Sequence, residues 1–130
     1  MAKRRVASYE ELDVYKLAVE LQQRVFDVSR AWPAEERYSL TDQIRRAARS
    51  IGGNIAESWA KRRYPAHFVS KLSDADGEQN ETRHWLRTAL ACGYLKAGEH
   101  AELDAMCKRV GAMLGRMMVD TESWSDGPTV

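Results

Sequence analysis

Arg45, Arg46 and Arg49 crowd one short stretch with a helical hydrophobic period, and a second basic run, Lys61-Arg62-Arg63, follows shortly after it. Arginine's planar fork of donors matches phosphate oxygens better than the point charge of lysine, so this spacing points to phosphate contact. Trp59 and Tyr64 flank the second run and are placed to stack on bases. Lys61, Arg62 and Arg63 also sit where cations offset the negative end of a helix dipole, a purely structural role. A third basic group, Lys3-Arg4-Arg5, opens the chain.

A second constellation is polar. At about 100° per residue, Arg46, Ser50, Asn54 and Glu57 share one flank of a helix. An antiparallel hairpin folding near residues 63–64 would set Arg46 across from Glu81, Ser50 across from Gly77, and Asn54 near Ser73 and Asp74. Arg45 or Arg49 with Glu78 would extend the set. A partly buried charge network of this kind serves register more than stability. On the other flank, Ala48, Gly52 and Ala56 form a stripe that admits a close helix neighbour, either within the bundle or in another subunit.

Metal and catalytic chemistry are not expected. Glu81-Thr82-Arg83-His84 has the Glu-x-x-His spacing of di-iron bundles, which require a second such motif. His67 and His100 have no acidic residue three positions upstream. No nucleophile arrangement, phosphate-cradling glycine loop or catalytic carboxylate pair stands out, and Gly52-Gly53 matches no P-loop. The reading is therefore a non-enzyme with no cofactor and no metal.

These residues need rods to hold them, and the hydrophobic period supplies four. Val14, Leu17, Leu21, Val25 and Val28 predict a helix over 12–31, with Ser8 and Glu11 as a capping box and Trp32-Pro33 as its stop. Leu40, Ile44, Ala48, Ile51, Ile55 and Trp59 predict a second helix over 40–60, started at Ser39. A third begins at Pro65 and ends near Gly93, with the seam Phe68, Leu72, Ala75, Gln79, Thr82, Leu86 and Ala89. A fourth runs over 98–124 on Leu103, Met106, Val110, Met113 and Met117, widened by Cys107, Leu114 and Met118. Short connections between long amphipathic helices specify an all-α, antiparallel up-down-up-down four-helix bundle.

The 130 residues suit a single domain, 1–130, with flexible ends near 1–7 and 125–130. No apolar stretch approaches the roughly 20 residues a membrane span needs. The basic N-terminus is not followed by the apolar run of a signal peptide, and the two cysteines read as free thiols, so the expected location is the cytoplasm. Net charge is +1, unevenly spread: residues 1–65 hold 13 Lys and Arg against 9 Asp and Glu, and residues 66–130 hold 7 against 10. That asymmetry favours pairing of the halves or a dipolar surface over a dedicated nucleic-acid binder. The broad apolar face of the fourth helix, with Trp32, Trp59, Trp85 and Trp124 near helix ends, suggests a homo-oligomer that covers it.

Leu12-Asp13-Val14-Tyr15-Lys16-Leu17-Ala18, the run from Tyr38 through Arg45-Arg46-Ala47-Ala48 to Ser50-Ile51-Gly52-Gly53-Asn54-Ile55-Ala56-Glu57, the residues Phe68, Leu72, Ala75, Gly77 and Glu81, and Gly93-Tyr94-Leu95 resemble the bacterial four helix bundle protein family, also called the large-subunit ribosomal RNA intervening-sequence protein family. The resemblance implies a cytoplasmic bundle that assembles into rings of five, some members being encoded within intervening sequences of ribosomal RNA genes. A distantly similar bundle is the accessory protein of diversity-generating retroelements, where it binds nucleic acid and the reverse transcriptase. Two positions depart from the family pattern: Ser58 stands where glycine is usual, and Glu78 where serine is usual. Glu78 adds negative charge beside the polar flank. The combined expectation is a homopentameric bundle that engages RNA, DNA or a nucleoprotein through Arg45, Arg46, Arg49, Lys61, Arg62 and Arg63. The competing expectation is a protein–protein scaffold whose arginines are consumed by internal pairing.

Overall fold

The computed structural model describes residues 6–125. Lys3-Arg4-Arg5 and the stretch 126–130 lie outside the described residues. Four long helices, α1 (Asp13–Ser29), α2 (Leu40–Ala60), α3 (Pro65–Ala91) and α4 (Ala97–Val119), pack as an up-down-up-down bundle. A one-turn helix, α5 (Glu122–Ser125), follows, and 3-10 turns occupy Tyr9–Glu11 and Ala34–Glu36. Each long helix packs on its sequence neighbours and α4 closes the square against α1; the most extensive seam is between α2 and α3. No strand occurs among the described residues.

The core is the one the apolar period specifies. All seven α3 seam positions, Gln79 and Thr82 included, are buried. So are all six of α2: Leu40, Ile44, Ala48, Ile51, Ile55 and Trp59. Thr82 satisfies its hydroxyl by donating to the Glu78 carbonyl at 2.8 Å, and the Gln79 amide donates to the Asp76 carboxylate at 3.0 Å. Gly111 of α4 makes room for that amide, since a Cβ there would stand 2.9 Å from its nitrogen. Ion pairs stitch the outer seams: Glu57 to Lys71 at 2.7 Å, Asp104 to Arg83 at 2.8 Å, and Arg24 to Glu102 at 3.2 Å.

The helix ends depart from expectation at three places. Ser8 and Glu11 cap the 3-10 turn rather than α1: Ser8 Oγ accepts from the Glu10 N–H at 3.2 Å, and Glu11 accepts from the Ala7 N–H at 2.8 Å. Ser39 begins α2 without a side-chain cap; the Glu36 carboxylate accepts from the Leu40 N–H instead, at 3.4 Å. The fourth helix does not run unbroken to Trp124. Asp120 leaves helical geometry at φ −106° and ψ 63°, and the Ser123 hydroxyl donates to its carboxylate. The break brings Trp124 to 6.3 Å from Trp59, edge-on.

At the other end of α3, Gly93 takes φ +79°. Its N–H bonds the Leu90 carbonyl at 3.0 Å and the Tyr94 N–H bonds the Ala89 carbonyl at 2.9 Å, the double closure of a Schellman turn. The turn delivers the Tyr94 hydroxyl to Glu36 at 2.9 Å and its ring to Trp32 at 5.9 Å, joining the two connections at this end of the bundle. The carboxylate beside it pushes the Tyr94 phenol up to about 12. Replacing Gly93 by alanine forces a Cβ into left-handed geometry, so Gly93→Ala should lower the unfolding free energy by about 1 kcal/mol in urea titration, with no change in helical content at 25 °C.

Candidate functional site

Phe26 lies on the solvent-facing flank of α1, off the apolar stripe, and three guanidiniums gather round its ring. The guanidinium carbon of Arg45 stands 4.6 Å from the ring centroid, that of Arg49 5.7 Å, and that of Arg30 5.9 Å. Arg45 and Arg49 are one turn apart on α2, and Phe26 lies on α1 with Arg30 at that helix's C-terminal cap, so the antiparallel pairing of the two helices builds the cluster. Buried Ser29 fixes its deepest member: Arg45 Nε donates to Ser29 Oγ at 2.8 Å, and that hydroxyl donates to the Phe26 carbonyl at 3.0 Å. Among the described residues no carboxylate lies within ion-pair distance of Arg30, Arg45 or Arg49. Three cations thus share one face with only an aromatic quadrupole and one hydroxyl to hold them.

The second basic run is elsewhere. From Arg49 to Lys61 the helix rise amounts to about 18 Å. Lys61 and Arg63 are exposed there. Arg62 is not offered to solvent in the same way. It donates to the Trp59 carbonyl at 2.8 Å, and its guanidinium lies 4.3 Å over the Trp59 ring. It caps the end of α2, as the dipole argument expects. Of the two aromatics, Trp59 is only 8% exposed, and Tyr64 is 60% exposed.

The single polar network expected around Arg46 resolves into local pairs. Arg46 pairs with Asp42 on its own helix at 2.9 Å, not with Glu81. An i,i+4 partner is already in place, whereas Glu81 is across a seam. Glu81 instead accepts from the Trp85 indole at 3.2 Å. Asn54 donates to the Ser50 carbonyl at 2.9 Å, within α2. Glu57 crosses to α3 and pairs with Lys71 at 2.7 Å. That hydrogen bond and charge hold the Glu57 carboxyl below its usual range. Ser50 faces Glu78 rather than Gly77, and a Cβ on Gly77 would meet nothing within 4 Å, so no close approach depends on it. The small-residue stripe has its partner inside the bundle: Ala48 and Gly52 are buried, and Tyr15 of α1 lies 3.6 Å from where a Gly52 Cβ would be.

Much of the apolar side-chain surface packs within the chain. Trp32 is 8% exposed, Trp85 and Trp124 are half-buried against the core, and Met113 and Met118 likewise. The large apolar side chains left well exposed among the described residues are Tyr38, Tyr64 and Val119. Burial lifts the Cys107 thiol to about 12, which leaves it unreactive at neutral pH. Among the described residues no group of His, Cys, Asp and Glu is arranged to hold a metal ion, and no helix is long and apolar enough to cross a membrane.

The structure therefore separates Arg45 and Arg49 from Lys61 and Arg63, gives Arg46 and Arg62 local partners, and sets Arg30 and Phe26 beside Arg45. That pair was legible in principle: an aromatic off the apolar stripe of α1, set by the same hairpin reasoning applied to α1 and α2.

The family model described as 23S rRNA-intervening sequence protein matches residues 10–116. A crystal structure of a protein of unknown function from the S23 ribosomal protein family, from Bacteroides thetaiotaomicron, shares the fold, with a TM-score of 0.73 and 24% identity over 81% of this chain and 97% of that one. No curated protein matches the chain.

Glu78 of α3 carries an electrostatic cost beside Ser50 of α2. Burial, then the neighbouring charge of Glu81, raises its pKa against the opposing hydrogen bond from Ser50. A raised carboxyl pKa makes the ionised group a net penalty on folding above that pKa, relieved as pH falls through it toward the unfolded value of about 4.3. Glu78→Gln should accordingly raise the urea midpoint at pH 7, and the gain should vanish near pH 4. A gain that stays constant across that range contradicts the assignment.

Proposed function

The chain belongs to the 23S rRNA-intervening sequence protein family, and from that premise we propose that it is a non-enzymatic, cytoplasmic helical bundle that binds RNA phosphates through Arg30, Arg45 and Arg49. One observation carries the reading: three guanidiniums converge on the Phe26 ring with no carboxylate partner among the described residues. Structural arginines usually end in ion pairs, as Arg24, Arg46 and Arg83 do in this chain. The unpaired trio instead offers forked donors to an anion with several oxygens. The family description concerns an intervening sequence of 23S rRNA, which makes RNA the polyanion to test first.

A homo-oligomer belongs to the same proposal, with five copies implied by the family resemblance. Its support is that resemblance rather than an uncovered apolar face. Repetition of the trio around a ring would convert weak single contacts into strong overall binding. Sedimentation equilibrium at micromolar concentration should give a multiple of the 14.8 kDa chain mass.

The binding itself is tested by fluorescence anisotropy with labelled RNA across a salt series. The unaltered chain should show a linear fall of log affinity with log salt. Arg30→Gln/Arg45→Gln/Arg49→Gln should flatten that slope by about 2, from roughly 0.7 per phosphate contact on a single strand. Circular dichroism should show the same helix content in both. Absence of binding at low salt, or an unchanged slope, rejects the proposal.

A further inference from the structure

The solvent face of α2 continues from the Phe26 cluster to the far end of the helix without meeting a negative charge. At about 100° per residue, Arg49, Gly53, Ala56 and Ala60 fall in one stripe, and the chain then presents Arg63 and Tyr64. Arg49, Gly53, Ala60, Arg63 and Tyr64 are exposed, and Ala56 is half-buried. Glu57 stands off the stripe and is neutralised by Lys71 at 2.7 Å. From Arg49 to Ala60, the last residue of α2, the rise is about 16 Å.

The two ends of this stripe differ in what they can grip. At the Phe26 end the ring is already covered by Arg45 at 4.6 Å, so that end offers donors for phosphate and no free aromatic face. At the α2–α3 connection, Lys61 and Arg63 make no ion pair among the described residues, and Tyr64 stands 60% exposed, edge-on to His67 at 6.0 Å. Trp59, the other aromatic at this end, lies beneath Arg62 and Trp124 and is withdrawn. Between the ends, Gly53 leaves the face open: its φ is not positive, and a Cβ on it would meet nothing within 4 Å, as at Gly77. Glycine in a helix interior weakens the helix.

We propose that this stripe is a track for single-stranded RNA, with phosphates held at Arg30, Arg45 and Arg49 and again at Lys61 and Arg63, and one unpaired base stacked on Tyr64. It rests on the reading of the trio as a phosphate site and adds the class of strand. The charged ends carry it; the small residues between them only keep the path clear. A duplex supplies the same phosphates but keeps its base faces inside the stack, so Tyr64 gains nothing from it. Stacking on an exposed aromatic tolerates any base, so the track is expected to show little sequence preference.

The test compares a fluorescein-labelled uridine oligomer of about 20 nucleotides with an RNA duplex of equal length, a span that covers the site sizes usual for such grooves. Tyr64→Ala should weaken the single strand roughly tenfold and leave the duplex and the salt slope unchanged, while Tyr64→Trp restores the single-strand affinity. Gly53→Glu should weaken the single strand with circular dichroism unaltered, and Gly53→Ala should raise the unfolding midpoint and keep binding. Equal loss on both probes, or no loss, for Tyr64→Ala overturns the track while the salt slope of the arginine triple variant still reports on the phosphate site. A Gly53→Glu variant that changes sedimentation but not RNA affinity makes the stripe an interface between copies and also overturns the track. Failure of the unaltered chain to bind either probe removes both readings together.

Discussion

Burial of the α2 apolar seam fixes the rest. Ile44, Ile51 and Ile55 are fully enclosed between α1 and α3. Each is worth about 1.5–3 kcal/mol against exposure, so the three together outweigh any hydrogen bond the helix makes at its surface, typically about 1 kcal/mol net. Once the seam is inside, the rotation of α2 about its axis is set. Arg45 and Arg49 then point toward α1, Glu57 points toward α3, and Arg46 is left facing water. The arginines occupy the positions that the isoleucines leave to them.

That hierarchy explains how a cluster of like charges is tolerated. Two cations about 7 Å apart in water repel by about 0.6 kcal/mol, a small tax on a bundle held by its core. The Phe26 ring returns about 0.5–1 kcal/mol per well-placed cation at an exposed site, and the Ser29 hydroxyl orients Arg45. The balance leaves the guanidiniums held in place but electrostatically unfilled. Some cations elsewhere are filled locally, with Asp42 for Arg46, Glu57 for Lys71 and Asp104 for both Arg83 and Lys108, while others such as Lys61 and Arg63 make no ion pair among the described residues. What marks the α1–α2 face is the convergence of three guanidiniums on one ring.

The long helices were legible because their apolar residues recur at three and four, a pattern only a rod with one buried face accommodates. The α2 bounds and the complete α3 seam follow from it, even where Gln79 and Thr82 interrupt the apolar run, since position and not polarity decides burial there. The ends were less legible. Ser8 caps a 3-10 turn, Ser39 contributes no side-chain cap, and Asp120 stops α4, because caps depend on a few local hydrogen bonds of similar strength whose winner the period does not specify. The placement of the tryptophans was not legible for a geometric reason: Trp32 closes on Tyr94 and Trp59 on Trp124 only once both ends of the bundle are assembled.

The amino-acid sequence by itself determined the architecture: four amphipathic helices, their order, their inward faces and a basic character on α2, all consequences of local periodicity. Which arginines remain unpaired was decided by the tertiary structure alone. Pairing depends on distances of a few ångströms between residues on different helices, and those follow from the register of α1 on α2 and of α2 on α3. Phe26 joined Arg45 through that register, and no pattern along a single helix contains that fact.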